Sequence, residues 1–218
     1  MAVPAEPINA GFFGEWLAAM RAVLRGERDA DVPCGGCVGC CVSSYPIPLQ
    51  PGDVLARAQV PEQWLIGPAP PGGRWLMGFR EDGSCPFLED RRCSVYGGRP
   101  QTCRDYDCRI YAAAGLQPDG NRPVIAERVS AWRFTYASGQ ERREAEAVRQ
   151  AAQFIQANHT LFPPAMRAGS ATAVAVLSVK IYPLFFSGLP AQQPVEQLLR
   201  LVIDAVRDFD EAGAVVNR

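Results

Sequence analysis

Histidine is almost absent: His159 is the only one in 218 residues. It falls near the end of a predicted helix, far along the chain from every cysteine. Its expected place is the surface or packing at that helix end, rather than general-base catalysis. Net charge is missing too. The formal value is −1 and the isoelectric point about 5.9, so no bulk electrostatic attraction draws the chain to nucleic acid, and no nucleic-acid partner is expected. The opening stretch MAVPAEPINAGFFGEWLAAM lacks the basic start and long apolar run of a signal peptide. The most apolar segment, residues 171–189, is interrupted by Lys180 and Pro183, whereas a membrane-spanning helix needs roughly 20 apolar residues in a row. These absences predict a cytoplasmic chain with no membrane partner. There is no internal repeat, no low-complexity tail, and no GxGxxG nucleotide loop.

What remains is an ordinary globular composition with one extraordinary component. Hydrophobic residues make up 48% and charged residues 21%, enough for a normal core, and the length suits a single domain over residues 1–218. Against this background stand eight cysteines, Cys34, Cys37, Cys40, Cys41, Cys85, Cys93, Cys103 and Cys108, all in the first half of the chain. Without a secretion signal, this density points to metal rather than to disulfides. The order is C-x2-C-x2-C-C, a gap of 43 residues, then C-x7-C-x9-C-x4-C. A C-x2-C turn brings two thiolates to one side of a tight loop, and Gly35, Gly36 and Gly39 permit the backbone angles that such a loop requires. Soft thiolates select zinc, copper(I) or iron–sulfur clusters.

Two all-thiolate zinc sites would use all eight cysteines. A [4Fe–4S] cluster needs four and could draw on both groups; the bacterial iron–sulfur run also opens C-x2-C-x2-C, but continues to a fourth Cys three residues later, followed by Pro. The spacing leaves zinc and iron–sulfur open. The adjacent pair Cys40–Cys41 carries separate information. On extended backbone, successive side chains point to opposite sides, so the two are expected to serve different centres, or one to ligate while the other packs or bridges, within an assembly to which both groups of four contribute. Five arginines, 91, 92, 99, 104 and 109, punctuate the second group, where cations favour the thiolate. Glu89, Asp90, Asp105 and Asp107 offset them. Arg99 and Arg104, which flank Pro100 and Cys103, are the arginines expected to be buried. Tyr96 and Tyr106 are placed to pack or to donate to sulfur.

The rest of the chain reads as α+β: a small loop- and strand-rich cysteine region over about 30–112, stabilised by metal, packed with a mainly helical part over about 138–212. Phe13, Trp16, Leu17, Met20 and Leu24 stripe a predicted helix over 9–25, with Asn9 as N-cap and Gly26 as stop. Pro51 opens a short helix carrying Val54 and Leu55. Residues 66–74 read as a Pro/Gly-rich surface loop. WLMGF, CPFL and CSVY read as short strands, the last two as a hairpin about EDRR. RPQTCRDYDC reads as loop or a single helical turn. IAERV suggests helix and WRFTY a strand. Ser138 and Glu141 form a capping-box pattern ahead of the stripe Val148, Ala151, Ala152, Ile155. Residues 171–182 read as helix, and Pro194 opens a last helix striped by Val195, Leu198, Leu199, Val202, Val206 and Phe209. So little regular structure in the cysteine half implies that metal supplies its cross-links, since metal-binding free energy then becomes folding free energy.

CGGCVGCC followed by SCPFLEDRRCSVYGGRPQTCRDYDC resembles the YkgJ-like cysteine-cluster proteins, the CxxCxxCC family of zinc- or iron-chelating domains. The resemblance spans residues 34 to 108, with a fainter echo in WRF at 132–134 and the helix after it. Asp53 fits the family's Asp about a dozen residues beyond the double Cys. The resemblance implies a metal-binding protein in which all eight cysteines chelate zinc or an iron–sulfur cluster. Some relatives are flagellin lysine N-methylases, so the alternative it implies is a metal-dependent enzyme that methylates protein lysine with S-adenosylmethionine. A structural role, metal handling and recognition of a protein partner all fit the first reading. The sequence is silent on catalytic residues and oligomeric state.

Overall fold

In the computed structural model, which describes residues 6–68, 74–188 and 193–216, regular structure opens on a strand where the apolar spacing predicts helix. In chain order the elements are β1 (Ile8–Phe12), α1 (Phe13–Leu24), β2 (Ile47–Leu49), α2 (Val54–Gln59), β3 (Leu65–Ile66), β4 (Trp75–Met77), β5 (Leu88–Glu89) and β6 (Arg92–Cys93). There follow α3 (Gln101–Asp105), α4 (Arg109–Ala114), α5 (Pro123–Ala131), β7 (Trp132–Thr135), α6 (Gly139–Ala157), α7 (Ala171–Phe186) and α8 (Val195–Val216). The fold is α+β. By backbone contacts the chain divides into two units. The first comprises residues 1–29, 107–120 and 129–218; the second comprises 30–106 and 121–128.

In the first unit, β1 pairs in parallel with β7, Ile8 opposite Trp132 and Asn9 opposite Arg133. Asn9 is therefore not a helix cap. Its Oδ1 accepts from the Gly11 N–H at 2.9 Å, and Gly11, at φ +89°, sits where the register shifts before Phe12 pairs with Thr135. A cross-chain strand pairing of this kind leaves no local periodic signature, so the helix begins only at Phe13. It stops as predicted, with Gly26 at φ +75°. Its buried stripe is Phe13, Trp16, Leu17, Met20 and Val23, with Leu24 only partly covered. WRFTY alternates as a strand should: Trp132 is buried, Arg133 exposed, and Phe134 packs edge-on to Phe13 at 5.2 Å.

The helical core lies on α6, α7 and α8. Ser138 accepts from the Glu141 N–H at 3.2 Å, and Glu141 reaches back to the Ala137 N–H at 2.9 Å. Ala145, Val148, Ala151, Ala152 and Ile155 form the buried face of α6, and its small residues allow α7 to lie close. The predicted end of α7 at residue 182 is too early: the helix continues through Pro183 to Phe186. Proline has no N–H to give the carbonyl four residues back, which is that of Val179. Arg21 from α1 supplies the missing donor: its Nη1 lies 2.7 Å from the Val179 oxygen and 3.0 Å from that of Lys180. On α8, Leu198, Val202, Val206 and Phe209 are buried, whereas Val195 is exposed. Among the described residues no helix is long and apolar enough to cross a membrane.

The second unit is assembled from short pieces. An antiparallel sheet of order β2–β4–β3 covers a buried cluster of Leu49, Val60, Met77 and Phe87, against which Trp64, Trp75, Cys85 and Cys93 pack. α2 forms after Pro51, but Leu55 is 76% exposed and only Ala56 faces inward. β5 and β6 make the hairpin expected of CPFL and CSVY, with Leu88 opposite Cys93. Residues 69–73 of the expected Pro/Gly loop lie outside the described residues; Ile66 belongs to β3 rather than to that loop.

Candidate metal centre

The first cysteine group is wound into two successive turns. The Cys37 N–H donates to the Cys34 carbonyl at 3.0 Å, and the Cys41 N–H to the Val38 carbonyl at 2.8 Å. Between them the Gly39 N–H points at the Cys37 sulfur, 3.4 Å away. Gly39 is buried at the heart of this winding; a Cβ there would stand 3.4 Å from that sulfur and 3.6 Å from Ile125 Cα. Residues 39–42 form a 3-10 turn. This changes the relation of Cys40 to Cys41. Successive side chains of a 3-10 turn diverge by only about 120°, and the two sulfurs lie 3.9 Å apart. The expectation that they point to opposite sides fails because the backbone is not extended.

The second group is brought to the first by backbone pairing. The Cys85 N–H donates to the Cys41 carbonyl at 2.7 Å. The Phe87 backbone acts on the Cys85 sulfur to oppose the rise in pKa that burial causes. Cys93 stands on β6, across the hairpin from Leu88. Cys103 rides on α3, whose start is held by a buried carboxylate: Asp53, 6% exposed, accepts from the Gln101 N–H at 2.9 Å and from the Gln50 N–H at 2.7 Å.

Electrostatics places four of these thiols in one neighbourhood. The contact with Cys41 holds the Cys40 thiol far above its ordinary range, with burial adding to it. Cys40 keeps solvent-exposed surface, so the contact rather than burial carries that shift. Burial raises Cys85, and the charges of Cys93 and Cys40 raise it further. Burial pushes Cys103 up to about 12, with Cys85, Cys40 and Cys93 adding to it and Arg99 opposing. Like charges this close cannot all ionise unaided, whereas a bound cation reverses the balance and deprotonates the coordinating thiol outright. Among the described residues, no three His, Cys, Asp or Glu side chains already close on a single point in metal-holding geometry. The fit lies in the donors: soft sulfur, mutually repelling, with the Gly39 N–H directed at Cys37.

Cys34 is exposed and shares its turn with Cys37. Cys108 belongs to the first unit. It is buried at the start of α4, and the Trp132 indole N–H donates to its sulfur at 3.2 Å. Beside it lies the ion pair that the sequence did not announce. Arg109 is 9% exposed and binds Asp107 through Nε at 3.0 Å and Nη2 at 2.7 Å, while Trp16 Nε1 donates to Asp107 Oδ2 at 2.9 Å. The buried arginine of the motif is thus Arg109, whereas Arg99 and Arg104 are partly exposed. Arg99 lies 3.7 Å over the ring of exposed Tyr96, and Arg104 bonds Gln101. Tyr106 packs on Tyr45. His159 is exposed.

Seven of the eight thiols thus fall within one small unit. Residues 33–120 match the CxxCxxCC family model, described as a "putative zinc- or iron-chelating domain". No curated protein and no solved structure matches the chain.

Proposed function

We propose that the protein binds zinc or an iron–sulfur centre through its cysteine cluster. The observation that carries this reading is the backbone bond from the Cys85 N–H to the Cys41 carbonyl at 2.7 Å, which ties the second group to the loop where the Cys40 and Cys41 sulfurs lie 3.9 Å apart. Cys103 is raised by burial and in turn by Cys85, Cys40 and Cys93, and a bound cation would favour such soft donors as thiolates. Cys40, Cys85, Cys93 and Cys103 would hold the metal. Cys41, beside Cys40, and the turn bearing Cys34 and Cys37 add thiolates from the same loop. The metal, when bound, supplies the cross-links that this unit's small apolar cluster lacks. Asp53 fixes the start of α3 and so the approach of Cys103. The Gly39 N–H points at the Cys37 sulfur, and the Phe87 backbone opposes the burial that raises Cys85.

Elemental analysis of anaerobically purified protein, read with its absorption spectrum, tests the proposal. Zinc in a colourless protein, or iron with sulfide and broad visible absorbance, is the expected result and tells the two centres apart. Protein free of both metals, and unable to take up either when reduced, overturns it. Titration with S-adenosylmethionine in the same preparation addresses the methylase alternative: saturable binding would move the function toward an enzyme.

A further inference from the structure

The loop that carries the first four cysteines is gripped by arginines that no cysteine spacing foretells. Arg128 Nη2 donates to the carbonyls of Pro33 and Cys34, 3.0 Å from each. At the other end, Arg122 Nε donates to the Ser43 carbonyl at 2.9 Å, while its guanidinium lies 4.3 Å from the centre of the Tyr45 ring. In the middle, Arg91 Nη2 donates to the Gly36 carbonyl at 2.9 Å. Arg91 does this from the tip of the β5–β6 hairpin, at φ +58° and next to Asp90 at φ +43°. Those are turn positions that favour Gly or Asn, so a residue with a Cβ such as arginine is there at a conformational cost, and its bond to the loop offsets that cost. The loop also lies directly on α5, as the 3.6 Å approach of a Gly39 Cβ to Ile125 Cα records.

Arg122 and Arg128 both come from residues 121–128, which belong to the cysteine unit but lie past residue 120, where the match to the chelating domain ends. They take one end of the loop each. A guanidinium suits this task because its rigid, always-charged fork keeps several donors aligned at once.

We infer that residues 121–128 complete the metal-binding unit of this chain. Arg122 and Arg128 are positioning residues: by fixing the two ends of residues 33–43 they restrict the loop that bears Cys34, Cys37, Cys40 and Cys41 before metal arrives, and slow its release afterwards. The second half of this inference rests on the proposed metal reading; the first does not.

The test uses full-length Arg122→Gln, Arg128→Gln and Arg128→Lys. In reduced, metal-free protein, amide hydrogen exchange over residues 34–43 is expected to quicken by about 10-fold in each Gln variant, the size of one lost charge-assisted bond. Lys at 128 restores part of the protection, and exchange over α6 stays unchanged as the internal control. Zinc-loaded variants are expected to yield their metal to excess EDTA about 10-fold faster. Loop exchange equal to wild type in both Gln variants overturns the inference, as does faster exchange with unchanged zinc release. If one variant unfolds, as α6 exchange would reveal, the other decides. Should wild-type protein take up no zinc or iron, the metal reading fails, while loop exchange still decides whether the arginines hold the loop.

Discussion

The N–H of Cys85 lies 2.7 Å from the carbonyl of Cys41, and this backbone bond sets Cys85 against the first cysteine group across a gap of 43 residues. The thiols it brings together should act as a set. Replacing Cys85 or Cys103 by Ser is expected to lower metal affinity by more than about 10-fold, since losing even an outer-shell partner of a ligand costs 10- to 100-fold. Competition against a chromophoric chelator measures it. Affinity unchanged in both variants would remove those residues from the ligand set.

Asp53 is a structural counterpart to the thiols. Its two oxygens receive the N–H groups of Gln50 and Gln101, so Asp53→Ala leaves two amides without their acceptor. At about 1–3 kcal/mol for each group so stranded, the variant should lose roughly 2–6 kcal/mol of stability. Urea unfolding of metal-free protein reads this directly, and a loss below about 0.5 kcal/mol would show that water replaces the carboxylate freely.

Arg21 and Pro183 should be energetically coupled. Arg21→Met removes the donor to the Val179 carbonyl and should cost about 1.5–3 kcal/mol, as expected for a bond from a charged group. In a Pro183→Ala background residue 183 regains its own N–H, so the same replacement should cost about 1 kcal/mol less. A double-mutant cycle by chemical denaturation measures the difference; strict additivity would mean that the guanidinium does not substitute for the missing helix bond.

The Asp107–Arg109 pair is buried on both sides, so neither partner can be removed alone without stranding a charge. Arg109→Met is expected to destabilise the protein by about 3–5 kcal/mol, and the thermal midpoint should fall accordingly. A shift of no more than a degree or two would indicate that Asp107 is held well enough by the Trp16 indole and by its own backbone contacts.

Local patterns were legible where a single segment carries its own signal. The stripes of α1, α6 and α8, the Ser138 cap, the CPFL–CSVY hairpin and the helix-then-strand reading of residues 124–136 all depend on neighbours a few positions apart. The errors fall where a distant partner decides. Residues 9–12 became a strand because β7 pairs with them. α7 runs through Pro183, and Arg21 supplies the lost bond. Cys40 and Cys41 face one another because Gly39–Val42 forms a tight turn rather than extended chain. Arg122 and Arg128 grip backbone carbonyls, and a carbonyl has no residue type by which a sequence could announce it.

The sequence by itself determined the chemistry available here: eight thiols, one histidine, almost no net charge, and spacings that wind cysteines into short turns. Those are properties of composition and of segments a few residues long. Only the tertiary structure decided which thiols share a neighbourhood, which arginine is buried, and what holds the cysteine loop in place. Each of those depends on segments far apart in the chain meeting at hydrogen-bond distance, and such bonds fall away within an ångström.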